Sequence, residues 1–396
     1  MCGVFPFAFF IWLIRPLYKI EFVIIPCEAI GHFAGNVDAF LIDQAVNIRK
    51  KTSYIFYYAL HKKPINQQLH VMWTRVIPII TSHWLTSIIV TIELLSEKIP
   101  FLKVLFFEKR NEFEAGDKDK TGKILSMPPF LKFTSHELTK GAEALEKMGI
   151  PKGGKYIILH SRDRAYGGIP QSFRNTKIES FFQAAKYLSS KGYYIVRTGA
   201  KVATEIPDSE NYIIDYATKW RSEFLDIYLS ANCAFYFGDS CGFFALSTCF
   251  RKPIATTNLV PVLNGPYCYE NAVLLPKKYW LASEKRYMSL SEIAALWSSG
   301  EHICRTAYYQ HQGIELHDNT PEELLAFAME VEARFDKTYP ETEEEKNIQN
   351  IFRNTVSAVD ILIQSDGVVR CKISSSFTKL NSFFLQEKNT AALVSV

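Results

Sequence analysis

The stretch Ile157–Arg164, with the sequence IILHSRDR, decides the fold class of this chain. A short apolar run rich in β-branched residues ends here in a histidine, two arginines and an aspartate. Such a run predicts a buried strand, and the residues after it fall at the carboxyl edge of a sheet, where open α/β folds bind ligands. His160, Arg162 and Arg164 are therefore predicted to form an anion site for a diphosphate or a carboxylate. The alternative is that Asp163 pairs with one arginine at a loop surface.

The segments after this stretch alternate between strand and helix patterns. Strands are predicted at 155–160, 193–197, 212–214, 234–237 and 253–256, and helices at about 178–190, 222–231 and 242–249. Strands that alternate with helices imply a parallel sheet with right-handed crossovers. In the first part of the chain, strands are predicted at 20–26 and 54–60, helices at 37–50 and 136–148, and an exposed loop at 108–123.

Length and composition bound the class of protein. The 396 residues suit two domains with extensions, and a composition of 48% hydrophobic and 22% charged residues is typical of globular proteins with sizeable cores. The net charge of +4 is mild and the basic residues are spread along the chain, so no nucleic-acid partner is predicted. None of the eight cysteines forms a Cys-x-x-Cys pair, which indicates a reducing compartment and no structural metal.

A wholly apolar segment, VFPFAFFIWLI, occupies Val4–Ile14 and is followed by Arg15 and Lys19. It is shorter than the roughly 20 residues that span a bilayer, and it lacks the basic start and cleavage site of a signal peptide. Two interpretations remain open. The segment is a monotopic anchor, with Phe and Trp in the cytoplasmic leaflet and the two basic residues at anionic head groups, or it is a helix or strand buried in the first domain.

A second candidate site lies in Phe237–Ala245, FGDSCGFFA, where a strand ends at Gly238 and an apolar helix is predicted from near Gly242. The Ser240 hydroxyl and the free N–H groups around Cys241 and Gly242 would bind an anion. The spacing differs from a Walker loop and from the G-x-S-x-G elbow, so a hydrolase triad is not supported. The alternative is a tight strand–helix turn. For Cys241 itself, a small buried thiol is favoured over a nucleophile.

A third candidate is the first strand–helix loop, which contains Gly31, His32 and Gly35. The imidazole of His32 could act as a general base for an acceptor hydroxyl. A histidine in such a place is more often a cap or a hydrogen-bonded loop residue.

Other polar residues lie near the predicted strand ends. Arg174 precedes the helix predicted from residue 178 and Arg197 ends a strand, so either could turn a guanidinium toward the same cleft. Asp215 is interpreted as a structural partner for such an arginine. Asn258 and Glu270 follow later strands, where a base or ribose would be recognised in such a fold.

Eight segments, in their order and spacing, resemble a family of bacterial glycosyltransferases that belong to surface-polysaccharide and lipopolysaccharide pathways. The segments are IGHFAGNVDAFL at 30–41, NQQLHVMW at 66–73, HSRDRAY at 160–166, FRNTKIESF at 173–181, GYYIVRTGA at 192–200, IIDYATKWRSEFLDIYLSANCAFYFGDSCG at 213–242, KPIATTN at 252–258 and GIELHDNTPEEL at 313–324. The resemblance extends from about residue 15 to residue 385.

The resemblance implies a GT-B-like α/β architecture, in which two Rossmann-like domains face a central cleft. Residues 20–150 would form the acceptor-side domain and 151–330 the nucleotide-sugar domain, with an apolar segment at 1–19 and a helical, polar extension at 331–396. His160 and Arg162 are also similar to the strand-end motif of GDP-fucose-using transferases, where the arginine holds the diphosphate. A GDP-linked or UDP-linked donor is therefore expected.

The function implied is transfer of a hexosyl or deoxyhexosyl group from a nucleotide sugar to a surface-polysaccharide or lipid-linked acceptor. The resemblance implies no cofactor, no metal, and a place at the cytoplasmic face of the inner membrane. Arg162, Arg164 and the Ser240–Gly242 amides would stabilise the departing diphosphate, and His32 or a nearby acid would take the acceptor proton. The alternatives are a non-catalytic, membrane-associated nucleotide-sugar-binding subunit and a phosphosugar hydrolase on the same fold.

Overall fold

Two parallel sheets organise the chain in a computed structural model that describes residues 4–46, 52–106, 122–165, 172–262, 265–298, 305–359 and 369–386. The first sheet has the order β1 (Lys19–Ile25), β2 (Thr52–Tyr58), β3 (Ile79–Ile80), and both pairings are parallel. Its β1 and β2 are the two strands predicted for the first part of the chain. Most of the predicted loop at 108–123 lies outside the described residues.

Five helices accompany the first sheet among the described residues. They are α1 (Val4–Ile14), α2 (Val37–Val46), α3 (Gln67–Thr74), α4 (His83–Ser96) and α5 (Pro100–Lys103). A π-helical turn at His32–Asn36 runs directly into α2, so the helix predicted from residue 37 begins earlier and in a wider conformation.

The second sheet contains seven strands, all parallel to their neighbours. They are β4 (Tyr156–His160), β5 (Tyr194–Thr198), β6 (Ile213–Asp215), β7 (Tyr236–Asp239), β8 (Ile254–Leu259), β9 (Ala272–Pro276) and β13 (Lys372–Ile373). The order is β13-β9-β8-β7-β4-β5-β6, so the first six strands follow the doubly wound order 3-2-1-4-5-6 of Rossmann-like domains. The predicted α/β class with parallel sheets is confirmed.

A small antiparallel sheet, β11-β10-β12, follows β9 and consists of β10 (Lys278–Leu281), β11 (Arg286–Tyr287) and β12 (Ile314–His317). The remaining helices are α6 (Ser135–Lys147), α7 (Phe182–Ser190), α8 (Tyr216–Lys219), α9 (Glu223–Asn232), α10 (Phe244–Cys249), α11 (Leu290–Ser298), α12 (Thr306–His311), α13 (Pro321–Phe335), α14 (Glu343–Ser357) and α15 (Ser375–Leu380). A capping box between Thr134 and Glu137 starts α6 one residue before the predicted helix.

The C-terminal part of the chain contributes to the second sheet. The predicted domain boundary at residue 330 lies inside α13, and β13 pairs with β9. Part of the segment predicted as an extension therefore belongs to the sheet itself.

The regions around the two sheets are joined by polar contacts. The Arg251 guanidinium lies 2.6 Å from the carboxylate of Asp38 on α2, and Arg75 makes two hydrogen bonds of 2.8 Å to Glu137 on α6. Arg251 is also held by backbone carbonyls near the end of α10. These contacts hold the region around the first sheet against the region around the second.

The first apolar segment is a helix, as the second interpretation allowed, and it is only partly buried in the protein. Residues Val4–Ile14 form a helix that packs against α4 through the buried Ala8 and Ile11, while most of its other described side chains are exposed. Within the described ranges, we find no helix with the length and apolarity needed to cross a membrane.

Candidate active site

The candidate site lies where the strand order of the second sheet reverses, between β4 and β7. His160 pairs in register with Gly238, so the loop after His160 and the turn after Asp239 leave the sheet side by side. In doubly wound sheets the connections diverge at this point and open a crevice for ligands. The first and second candidate sites therefore lie at one edge of the same sheet.

Asp239, the last residue of β7, is the hub of the site. Its carboxylate is fully buried and accepts hydrogen bonds from the Arg162 N–H at 2.9 Å and from the Thr176 hydroxyl. The other oxygen accepts from the Thr257 hydroxyl at 3.0 Å and from the Asn258 amide at 2.8 Å. Burial raises the pKa of this carboxyl, and these donors oppose that effect. One side chain thus connects two loops, those of Arg162 and Thr176, to the end of β8 at the sheet edge.

Three arginines lie on the loops that Asp239 fixes. Arg162 and Arg174 are half-buried, and Arg164 is exposed. The Thr176 N–H donates to the Arg162 carbonyl at 2.8 Å, which ties the segment carrying Arg174 to the Arg162 loop. The structure therefore brings together the segments that carry the predicted guanidiniums.

Asp163 orders this loop through backbone N–H groups, and not through the pairing with an arginine that was the alternative interpretation. Its carboxylate accepts from the Ala165 N–H at 2.7 Å and from the Ala203 N–H at 2.6 Å. Among the described residues it caps backbone groups rather than pairing with an arginine.

His160 and Cys241 form a coupled pair beneath the site. The His160 ring stacks on Phe243 with centroids 5.5 Å apart, and its Nδ1 lies 3.2 Å from the Thr198 hydroxyl. Cys241 is a free, half-buried thiol whose sulfur accepts from the Phe243 N–H at 3.3 Å and lies 3.5 Å from the Tyr236 hydroxyl. Burial opposes the thiolate, but His160, the Tyr236 hydroxyl and the Phe243 N–H together outweigh burial and lower the pKa of Cys241 to about 7. Burial likewise opposes protonation of His160, and Cys241 raises the pKa of that imidazole.

The helix that follows the turn after β7 starts later than predicted. The helix α10 begins at Phe244, two residues after Gly242, and is only six residues long. The Phe243 N–H is already taken by the Cys241 sulfur. The predicted helix start near Gly242 is therefore two residues too early, and the Phe243 N–H is not available to a ligand. Ser240 remains half-buried and Gly242 exposed.

The first strand–helix loop meets this turn directly. A Cβ added to Gly31 would lie 2.7 Å from the Gly242 Cα, so the two backbones touch at a distance that only glycine permits. His32 follows Gly31 and is exposed, with Nδ1 3.4 Å from the Asn36 side-chain oxygen. Gly35 is buried within the π-helical turn. The structure thus places the predicted acceptor-side loop against the predicted donor-side turn.

A second imidazole at the edge of the first sheet was not singled out from the sequence. The hydroxyl of Tyr58, the last residue of β2, lies 2.7 Å from Nδ1 of the half-buried His70 on α3. Burial lowers the pKa of His70, which favours the neutral ring at neutral pH. No sequence spacing marks this pair, because Tyr58 ends a strand and His70 lies on the next helix.

Three residues that were predicted to lie near a ligand have other positions or partners in the structure. Arg197 is buried and pairs with Asp215 at 2.8 Å, so it does not reach the cleft. The Asn258 side chain is engaged by Asp239 and by the Asn319 N–H at 2.7 Å, and it connects β8 to the segment after β12. Glu270 precedes β9, which places it at the amino edge of the parallel sheet, opposite the candidate site. The prediction that Glu270 follows a strand is wrong.

The described residues contain no group of three or more His, Cys, Asp or Glu side chains that could hold a metal ion.

Comparisons with known proteins give structural similarities only. No protein-family model and no curated protein matches the chain. ADP-heptose lipopolysaccharide heptosyltransferase II of E. coli aligns with 80% of this chain and 99% of its own, at 12% identity and a TM-score of 0.46. A family 9 glycosyl transferase from Veillonella parvula covers 79% of this chain and 97% of its own, at 12% identity and a TM-score of 0.44. The E. coli heptosyltransferase WaaC, solved with ADP-2-deoxy-2-fluoro heptose, covers 65% of this chain and 92% of its own, at 10% identity and a TM-score of 0.35. The chain is thus distantly similar in structure to these three transferases, and its fold assignment rests on the strand order described above.

Proposed function

We propose that this protein is a glycosyltransferase that moves a sugar from a nucleotide-sugar donor to a surface-polysaccharide or lipid-linked acceptor. The observation that carries the proposal is the contact between Gly31 and Gly242. It sets a histidine-bearing loop of the first sheet beside the turn after β7, and that turn leaves the second sheet next to the loop that carries Arg162. A cleft with two chemically different walls suits a reaction that joins two substrates.

The donor is proposed to bind at the crevice of the second sheet, with its diphosphate beside Arg162, Arg164 and Arg174. Guanidiniums bind phosphate oxygens with two parallel hydrogen bonds and keep their charge at any physiological pH. These cations, rather than a divalent metal, would neutralise the diphosphate as it leaves. The similarity of His160 and Arg162 to a GDP-sugar motif supports a GDP-linked or UDP-linked hexose or deoxyhexose.

In the proposed reaction, an acceptor hydroxyl oxygen bonds to the anomeric carbon while the bond from that carbon to the diphosphate breaks. Negative charge grows on the diphosphate, and the arginines stabilise it from fixed positions. His32, exposed at the start of the π-helical turn, would take the proton of the acceptor hydroxyl. The acceptor is proposed to lie at the cytoplasmic face of the inner membrane.

Arg162→Ala tests the donor site. Purified protein is melted with UDP, GDP, ADP, dTDP and CMP, since a ligand that binds the folded state raises the melting temperature. We expect one nucleotide to stabilise the protein, and Arg162→Ala to remove that shift and to lower turnover by about 10²-fold or more. Arg353→Ala, on α14 beside the edge strand β13, is the matched control and should change neither.

Three outcomes would contradict the proposal. Absence of any nucleotide response excludes this donor site. A nucleotide shift without transfer from a labelled nucleotide sugar to any acceptor indicates a binding subunit. Release of free sugar to water at the full rate, without transfer, indicates a hydrolase on the same fold.

A further inference from the structure

The outer side of α1 is an exposed apolar surface with no charged residue. Only one stripe of the helix, Ala8 and Ile11, is buried against the protein. On the other sides, Phe9, Phe10 and Leu13 are each more than half exposed, at 53%, 60% and 57%. Solvated helices normally place polar residues on the side that faces water. The buried residues of α1 contact the protein core, and its exposed apolar residues are suited to an apolar environment outside the protein.

This surface continues onto α4. The buried residues of α1 and α4 share one cluster with Phe22 of β1 and Tyr57 of β2, so both helices cover the same face of the first sheet. Their outward sides consequently face the same direction. Trp84, near the start of α4, is 70% exposed. We use the term apolar face for the exposed side chains of Phe9, Phe10, Trp12, Leu13, Leu17 and Trp84.

The apolar face contains more large exposed side chains than a surface that meets only water usually carries. Single exposed apolar residues are normal, whereas clusters of large ones mark sites for proteins or membranes. The 11 residues of α1 are about 16 Å long at roughly 1.5 Å per residue, about half the hydrocarbon thickness of a bilayer. A helix of this length cannot cross the membrane, but it can lie in the interface with its apolar side buried.

The charges around the apolar face favour lipid over a second copy of the chain. Arg15 directly follows α1, and Lys98 and Lys103 are exposed just beyond α4 and at the end of α5. Lys19 at the start of β1 pairs with Glu21, and the exposed Glu97 is the one acidic neighbour of Lys98 in the chain. Anionic head groups attract such basic residues, whereas two copies joined through this face would bring them together. Aromatic side chains flanked by basic residues are typical of helices that bind the membrane surface.

We propose that the apolar face docks the protein on an anionic lipid bilayer, with α1 lying in the plane of the interface and Trp84 of α4 entering beside it. The membrane surface thereby becomes a partner of the proposed transferase. Docking itself needs neither donor nor acceptor, so it is measured independently of any sugar transfer.

The test is co-sedimentation of the full chain with phosphatidylcholine vesicles that contain phosphatidylglycerol. We expect binding that falls with added salt and with vesicles of phosphatidylcholine alone. Phe10→Asp and Trp84→Asp should each weaken binding about tenfold or more, because each removes a large apolar side chain from the bilayer. Leu380→Asp, at a residue 60% exposed on α15, is the matched control and should bind like the parent chain.

Two results would overturn the proposal: equal vesicle binding by Phe10→Asp and Leu380→Asp, or a dimer in solution that Phe10→Asp dissociates. The melting temperature of each variant without nucleotide shows that it is folded, and the nucleotide-dependent shift is measured on the same variants. That shift separates the two proposals, since a failed donor site would leave vesicle binding unchanged.

Discussion

Replacing Asp239 by Asn tests whether this buried carboxylate organises the candidate site. Each carboxylate oxygen accepts two hydrogen bonds, one from an N–H group and one from a hydroxyl. The N–H groups can only donate, whereas a hydroxyl can rotate and accept a hydrogen bond instead. The fixed donors are the Arg162 backbone N–H and the Asn258 side-chain amide. Asn258 cannot turn its amide over, because its oxygen accepts from the Asn319 N–H at 2.7 Å.

An asparagine at position 239 offers one acceptor oxygen and one NH₂ group. In either orientation its NH₂ faces one of the two fixed donors, which then remains buried without a partner. An unpaired buried donor costs about 1–3 kcal/mol. For a folding unit of about 150–250 residues, roughly 2 kcal/mol lowers the melting temperature by about 4–8 °C. Nucleotide affinity should fall as well, because the Arg162 loop loses its anchor.

Thermal melting and nucleotide titration of three variants separate these effects. Thr257→Val removes a donor to the same carboxylate but leaves the Arg162 bond in place, so it should destabilise the protein without weakening nucleotide binding. Asp208→Asn, at an exposed residue, should have no effect on either. If Asp239→Asn melts and binds like the parent chain, Asp239 does not hold the site together.

Three further predictions follow from the site and its surroundings. Alkylation of Cys241 by iodoacetamide, followed by mass spectrometry, should show a midpoint near pH 7, because His160 and two neighbouring donors together outweigh burial. His160→Gln removes the largest of these opposing effects and should move the midpoint to higher pH. Burial raises the pKa of Asp226 to about 6, so the folded state holds this proton more tightly than the unfolded chain. The parent chain should therefore lose about 3 kcal/mol of unfolding free energy from this group as the pH rises from about 4 to about 7, and urea unfolding of Asp226→Asn should lack that loss. Gly31→Ala should lower turnover by about 10- to 100-fold, because its Cβ would force the two loops apart, and unaltered kinetics would show that the loops can separate without consequence.

Continuous apolar runs made the second sheet predictable. Tyr156–His160 is buried at every position, as expected for a parallel strand covered on both faces, and the same pattern marks Tyr236–Asp239. Parallel strands align their carboxyl ends, so the closeness of the arginine loop and the Ser240 turn followed from the strand pattern alone. The fold class and the main part of the candidate site were therefore accessible from the sequence.

The hydrogen bonds in the interior of the site could not be predicted from the strand pattern. The partners of Asp239 come from segments 63 and 77 residues earlier and 18 and 19 residues later in the chain, and only the strand order brings them together. The error at Glu270 has a local cause: the apolar run Ala272–Pro276 is itself a strand, so Glu270 precedes it. The apolar pattern of α1 indicated burial, but it could not distinguish protein from lipid.

The glycine contact between the two sheets acts as a fulcrum. Because Gly31 and Gly242 touch through their backbones, no side chain can rotate away to let the halves slide past each other there. Opening of the cleft for substrate entry would then be a rotation about this point, with the largest movement at positions farthest from it. The spacing between the His32 loop and the Ser240 turn would stay nearly constant throughout that motion, so the reacting groups would keep their separation while the rim of the cleft widens.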